Sequence, residues 1–183
     1  DRLIQVTTAL ETQFSDSIIQ FFKDEYILNQ NHIFFAVYHV LKSFLDGKSI
    51  SNKKNIELLL YLSCNRQIRI ALEAFGINDA NLRSKKLTYC IISTHNNIKE
   101  LNNELLQLLN ANESDITLNK KSEEKFNKVK KFFELTNLHI KTVLKSFDVR
   151  DTVDLNAIPL ENLFKGLEDL ICEKMALLSL ENI

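Results

Sequence analysis

Apolar residues recur mostly at helical spacing along this chain, with two short windows that read as strands. Leu3, Ile4 and Val6, interleaved with Gln5, Thr7 and Thr8, predict a strand over Leu3–Thr8. Ile18, Ile19, Phe21 and Phe22 predict a short helix within Asp16–Phe22. Asn29 or Asn31 is placed to cap the next helix, whose apolar stripe is Ile33, Val37, Leu41 and Phe44 and which ends near Gly47. A second face of the same helix carries His32, Ala36, His39 and Ser43. Asn52 or Asn55 starts a helix over Ile56–Cys64, and its unbroken apolar run implies near-complete burial. Arg66–Phe75 follows with Ile68, Leu72 and Phe75 facing inward and Gly76 as the stop, and Lys86–Ser93 is a second strand.

Asn97–Asn110 is a leucine-rich amphipathic helix aligned on Ile98, Leu101, Leu105 and Leu108. A polar stretch then runs to Ser122, with a short strand at Ile116–Leu118. Ser122 opens a helix bearing Phe126, Val129, Phe132 and Phe133, and a further helix covers Leu138–Phe147. Pro159 sits at the first turn of the last helix, where its missing N–H has no partner to lose, and Leu160, Leu163, Leu167, Leu170 and Ile171 continue the stripe. Ala176–Leu180 either finishes that helix or turns into an edge strand. Several helices and a few separated strands predict an α+β fold, a small antiparallel sheet packed with helices. Without a repeat or a low-complexity linker, residues 1–183 read as a single domain.

Composition adds little to this picture, and charge adds more. At 183 residues and 45% hydrophobic, the chain has enough apolar surface for an ordinary core. Twelve Phe, no Trp, three Gly and one Pro agree with packed helices and few sharp turns. It begins at Asp1 and not Met, so a few leading residues are expected to precede it. No apolar run reaches the length of a membrane span, and no signal peptide is visible. Three well-separated cysteines, Cys64, Cys90 and Cys172, fit reduced thiols and a cytoplasmic location, also nuclear if the source is eukaryotic. Net charge is −1, yet Lys42–Lys86 holds nine basic residues against four acidic, a local +5. That segment reads either as an anion-binding surface or as the solvated outer faces of helices. A second basic run, Lys120–Lys131, is diluted by Glu123 and Glu124 and reads as a solvated face.

Candidate chemistry is sparse. The three glycines lie 29 and 90 residues apart, which leaves no phosphate-cradling glycine loop. Zinc spacings are absent, and His32 and His39 are seven apart, too far for one metal on a regular helix. Cys64 and Cys90 lie in apolar runs where burial raises a thiol pKa. Carboxylates are scattered. The expectation is a protein that is not an enzyme and has no cofactor and no metal.

Four ordered pieces carry a resemblance: NHIFFA at Asn31–Ala36, ELLLYLS at Glu57–Ser63, RQI at Arg66–Ile68 running into ALEAFGI at Ala71–Ile77, and EKMALLSLE at Glu173–Glu181. Together they resemble the kinase-binding subunit of the KEOPS complex, the PRPK-binding protein family with its archaeal and yeast counterparts. They cover about a third of the chain, and the stretch at about 110–159 departs from the family and reads as longer. The resemblance implies a non-catalytic accessory subunit of the assembly that attaches threonylcarbamoyl to a tRNA adenosine. Its implied partners are the kinase/ATPase subunit and the single-stranded 3′ CCA end of tRNA, with no membrane and no metal.

On that basis the RNA-binding candidates are His32, Lys42, Ser63, Asn65, Arg66, Gln67 and Arg69. A single-stranded end needs cations, amide or hydroxyl groups and an apolar floor, and the Ser63–Ile68 turn offers the first two at a helix start. The same Arg66 and Gln67 equally suit capping and bridging between helices. The partner-binding candidates are Leu170, Ile171, Met175, Leu177 and Leu178, more apolar positions than one buried stripe uses, although all five also suit a core. The alternatives are a protein-only bridge or regulator of the kinase without RNA binding, and a small hydrolase or transferase without recognisable motifs.

Overall fold

A computed structural model describes residues 2–114, 118–145 and 155–180. It is an α+β fold with helices dominant. The chain divides into two compact units, one built from residues 2–22 and 77–114 and the other from 23–76, 118–145 and 155–180.

The first unit contains α1 (Arg2–Gln13), β1 (Ser17–Phe22), α5 (Asp79–Ser84), β2 (Thr88–Ser93) and α6 (Ile98–Leu109). Two of its elements exchange the types expected of them: Leu3–Thr8 is helical, and the segment expected to be a helix is strand β1. The helix signal in α1 is the spacing Leu3, Val6, Leu10, continued by Phe14 past its end, which only a window longer than the six-residue alternation reveals. In β1 nearly every residue is buried on both faces, so the apolar run has no alternation to read. The strands pair antiparallel, Ser17 opposite Ser93 through Phe22 opposite Thr88, and form the one sheet among the described residues. Phe21 and Tyr89 meet across it with ring centroids 5.5 Å apart and planes tilted by 37°. Glu11 Oε1 accepts from Ile19 N at 2.8 Å, so a side chain of α1 satisfies a backbone donor of β1. Leu101 and Leu105 of α6 close this core against Leu10, Phe14, Ile19 and Phe21.

The second unit comprises α2 (Gln30–Leu45), α3 (Lys54–Ser63), α4 (Ile68–Phe75), α7 (Glu123–Phe132), α8 (Asn137–Lys145), a 3₁₀ turn at Leu155–Ala157 and α9 (Leu160–Leu180). Every residue of α3 from Glu57 to Ser63 is buried, as the unbroken apolar run implies, and α2, α4 and α9 all pack on it. Cys64 ends α3 in the left-handed region at φ 49°. In α4 the inward residues are Ala71, Ala74 and Phe75, whereas Ile68 and Leu72, expected inside, are exposed. Gly76 follows α4 in extended backbone, and only glycine fits there, since a Cβ would lie 2.5 Å from Leu72 O. Ser122 caps α7 by accepting from Lys125 N at 3.2 Å. Pro159 O accepts from Leu163 N at the start of α9, and the tail expected to be either helix or strand stays helical to Leu180. The expected strand at Ile116–Leu118 falls mostly outside the described residues, as does the end of the helix expected over Leu138–Phe147.

Candidate functional site: a docking face on α2

Helix α2 is apolar nearly all round, and its inward side is the one with the small and polar residues. Asn29 Oδ1 accepts from His32 N at 3.0 Å and starts the helix. Its buried residues are His32, Ala36, Val40 and Ser43, whereas Ile33, Val37, Leu41 and Phe44, the expected core stripe, are only partly buried. The polar atoms on the inward side are satisfied. His32 Nδ1 accepts from Leu28 N at 3.2 Å, so its Nε2 carries the proton and donates to Leu62 O at 3.0 Å. Ser43 Oγ reaches Val40 O at 2.9 Å and Glu57 Oε1 at 3.1 Å.

His32 is 1% exposed, and burial lowers its pKa to about 4. Above about pH 6.5 the ring is neutral whether the chain is folded or unfolded, and it contributes no pH dependence. Between about 6.5 and 4 the unfolded chain takes up a proton that the folded chain refuses, so stability falls as pH falls, by about 3 kcal/mol in all. Below about 4 the contribution levels off. Urea denaturation of the protein and of His32→Gln across pH 4–8 checks this: the wild-type chain shows the acid loss and the variant lacks it.

At 100° per residue, Phe34, Tyr38, Leu41 and Leu45 fall within an arc of about 60° directly opposite the buried side. Phe34 is 66% exposed, Tyr38 53% and Leu45 87%, with Leu41 half-buried between them. Two turns or more of a solvent-facing helix side are thus a row of large apolar groups, where an ordinary surface helix is polar. The row is held firmly. His39, next to Tyr38, stacks on Tyr61 of α3 at 5.2 Å and 17°, and its Nδ1 lies 3.1 Å from Ser179 Oγ of α9, which is itself 3.2 Å from Tyr61 Oη. That junction brings the end of α9 against the middle of α2, and there Leu177 and Leu180 are 49% and 57% exposed. Arg66 Nη1 donates to Leu178 O at 3.1 Å and thereby occupies a terminal carbonyl of α9.

The residues singled out from sequence separate into two groups. Of the partner-binding set, Leu170, Ile171, Met175 and Leu178 are buried and belong to the core, because α9 packs on several helices and uses more than one stripe; Leu177 alone is exposed. Of the RNA-binding set, His32 is buried with both ring nitrogens engaged, and Ser63 is buried with its hydroxyl on Leu60 O, so neither reaches a ligand in solvent. Lys42 is exposed and paired with Asp46 at 2.9 Å, away from the Ser63–Ile68 turn in sequence and on the outer side of α2. Asn65 Oδ1 holds Gln67 N at 2.8 Å, Gln67 is exposed, and Arg69 is exposed and paired with Glu73 at 2.9 Å. The basic segment Lys42–Lys86 is shared between the two units, with Arg83, Lys85 and Lys86 in the first.

Burial drives the Cys64 thiol far up and holds Cys90 and Cys172 at about 12, so all three are protonated thiols at neutral pH. Among the described residues no group of three or more His, Cys, Asp or Glu is placed to hold a metal. No described helix is long and apolar enough to cross a membrane.

Residues 4–179 match the family model described as kinase binding protein CGI-121. The chain belongs to this family. No curated protein matches it closely enough to add a nearer relative. Membership in the CGI-121 family points to a kinase as the chain's partner. Phe34, Tyr38 and Leu45 escape a sequence reading that assigns each helix one apolar stripe; the signal for them is that QNHIFFAVYHVLKSFL is apolar over far more than one stripe.

Proposed function

We propose that this CGI-121 family member is a non-catalytic accessory subunit of a KEOPS-type tRNA-modifying assembly, and that it docks on the kinase subunit through the outward face of α2. The observation that carries the docking surface is the row Phe34, Tyr38, Leu41 and Leu45, large apolar groups facing solvent on a helix whose other side is already packed. A rigid helix presenting side chains at i, i+4 and i+7 suits insertion into a complementary groove. Leu177 and Leu180 at the end of α9 are further exposed apolar groups, in the helix that meets α2 at His39. Co-purification with the kinase tests it: the chain carrying Phe34→Asp and Tyr38→Asp is expected to leave the complex while remaining folded, and undiminished retention would remove α2 from the interface.

The RNA half of the proposal contracts to the turn before α4. Gln67 and Arg69 are exposed there, Asn65 and Arg66 are half-buried, and the Gln67 side chain does not cap the helix it precedes. Arg66 is a poor probe because its guanidinium holds Leu178 O. Gln67→Ala with Arg69→Glu is the cleaner test. Wild-type protein is expected to retain full-length tRNA at least tenfold better than tRNA lacking its CCA end, and the double variant to treat both alike. Equal binding of both RNAs by the wild type supports instead the protein-only bridge.

A further inference from the structure

We infer that the α2–α3 loop is an electrostatic contact for an acidic rim on the kinase; this rests on the docking of α2 proposed above. The row of apolar groups ends at Leu45, the most exposed large hydrophobic residue among the described ones, and the loop begins at the next residue. From Lys42 to Lys54 the segment holds Lys42, Lys48, Lys53 and Lys54 against Asp46 alone, a net of +3 in a chain of net −1. Asp46 is already paired with Lys42. Glu57, the nearest carboxylate beyond it in sequence, is fully buried and turned inward.

The backbone of the loop is held in place. Glu57 Oε1 accepts from Ile50 N at 3.0 Å and Oε2 from Ser51 N at 2.7 Å. Lys48 N donates to Ser43 O at 2.8 Å, and Gly47 takes the left-handed φ of 65° that the reversal requires. Lys54 Nζ lies 5.8 Å from the centroid of the Phe44 ring, a cation–π contact that ties the end of the loop to the last turn of α2. Lys48 and Lys53 are exposed. Cations fixed at one end of an apolar docking row are the arrangement that steers a partner and sets its register, with the apolar groups then holding it. The partner chemistry that fits is a groove for Phe34, Tyr38 and Leu45 with Asp or Glu side chains beyond its Leu45 end.

Association and dissociation rates with the purified kinase subunit, measured between about 50 and 500 mM NaCl, test this. Wild-type association is expected to slow by about tenfold or more across that range. Lys48→Glu, Lys53→Glu and Lys54→Glu together are expected to slow low-salt association at least tenfold and flatten the salt profile, while dissociation changes less than threefold. An association rate within twofold of wild type, with an unchanged salt profile, overturns the inference. So does loss of tRNA retention by the triple variant with kinase kinetics intact, which assigns the loop to RNA. Phe34→Asp separates the two proposals: it acts on dissociation if α2 is the docking face. An effect of the lysine variant without any effect of Phe34→Asp would discard the α2 face and keep the loop as a kinase contact.

Discussion

Replacing Phe34 and Tyr38 together by Asp is expected to weaken kinase binding at least 100-fold, with little change in the thermal midpoint of the free chain. Both side chains are more than half exposed, so the folded monomer loses little core on their removal. Aspartate within a helix costs only a few tenths of a kcal/mol by propensity. At an interface the position is different. Aromatic anchors at the centre of a docking patch typically contribute 2 kcal/mol or more each, and two of them losing about 3–5 kcal/mol together corresponds to about 100-fold or more in affinity. Buried carboxylates facing a groove without partners add to the loss. Leu138→Asp, at an equally exposed leucine on α8, is the matched control and is expected to leave affinity within twofold. Calorimetric titration of the kinase subunit with the three proteins decides the matter.

The second large effect concerns Glu57. Its carboxylate is fully buried and accepts from Ser43 Oγ, Ile50 N and Ser51 N, joining α2, the loop and α3 at one point. Hydrogen bonds to a charged group are worth about 1.5–3 kcal/mol each, though not additively, and Glu57→Ala also leaves a void. A loss of about 3–5 kcal/mol in urea denaturation is expected. Glu57→Gln is not the mild change it resembles. Its amide oxygen can still accept from Ser43 and Ile50, but an NH₂ group then faces the donor of Ser51, so a loss of at least about 1 kcal/mol remains. A neutral result for Glu57→Ala would mean that the loop is held by other contacts.

How far the sequence reveals this molecule depends on whether burial is one-sided. α6 and α7 each bury one stripe, and the periodicity places Leu101, Leu105, Phe126 and Val129 inside, although Ile98 and Leu108 at the two ends of the α6 stripe are exposed. α3 is buried from Glu57 to Ser63, and an unbroken run says so directly. The misread elements are those where both sides are apolar. β1, covered on both faces, mimics a short buried helix; α2, apolar outward as well as inward, shows its stronger stripe on the wrong side. Residues such as His32 and Ser63 look like ligand-binding groups because they are polar, and only the partners Leu28, Leu62 and Leu60 reveal them as satisfied parts of the interior. Arg66 and Gln67 suit either a bridging or a recognition role by residue type, and the bond from Arg66 to Leu178 O is a bridge that no sequence pattern shows.

The inverted patterning of α2 has a bearing on how the chain behaves alone. A molecule whose greasiest helix side points outward is adhesive until something covers it, and unsheltered copies find each other or the cell's quality-control machinery. Expressed in excess of its kinase companion, this protein is therefore expected to self-associate or be cleared.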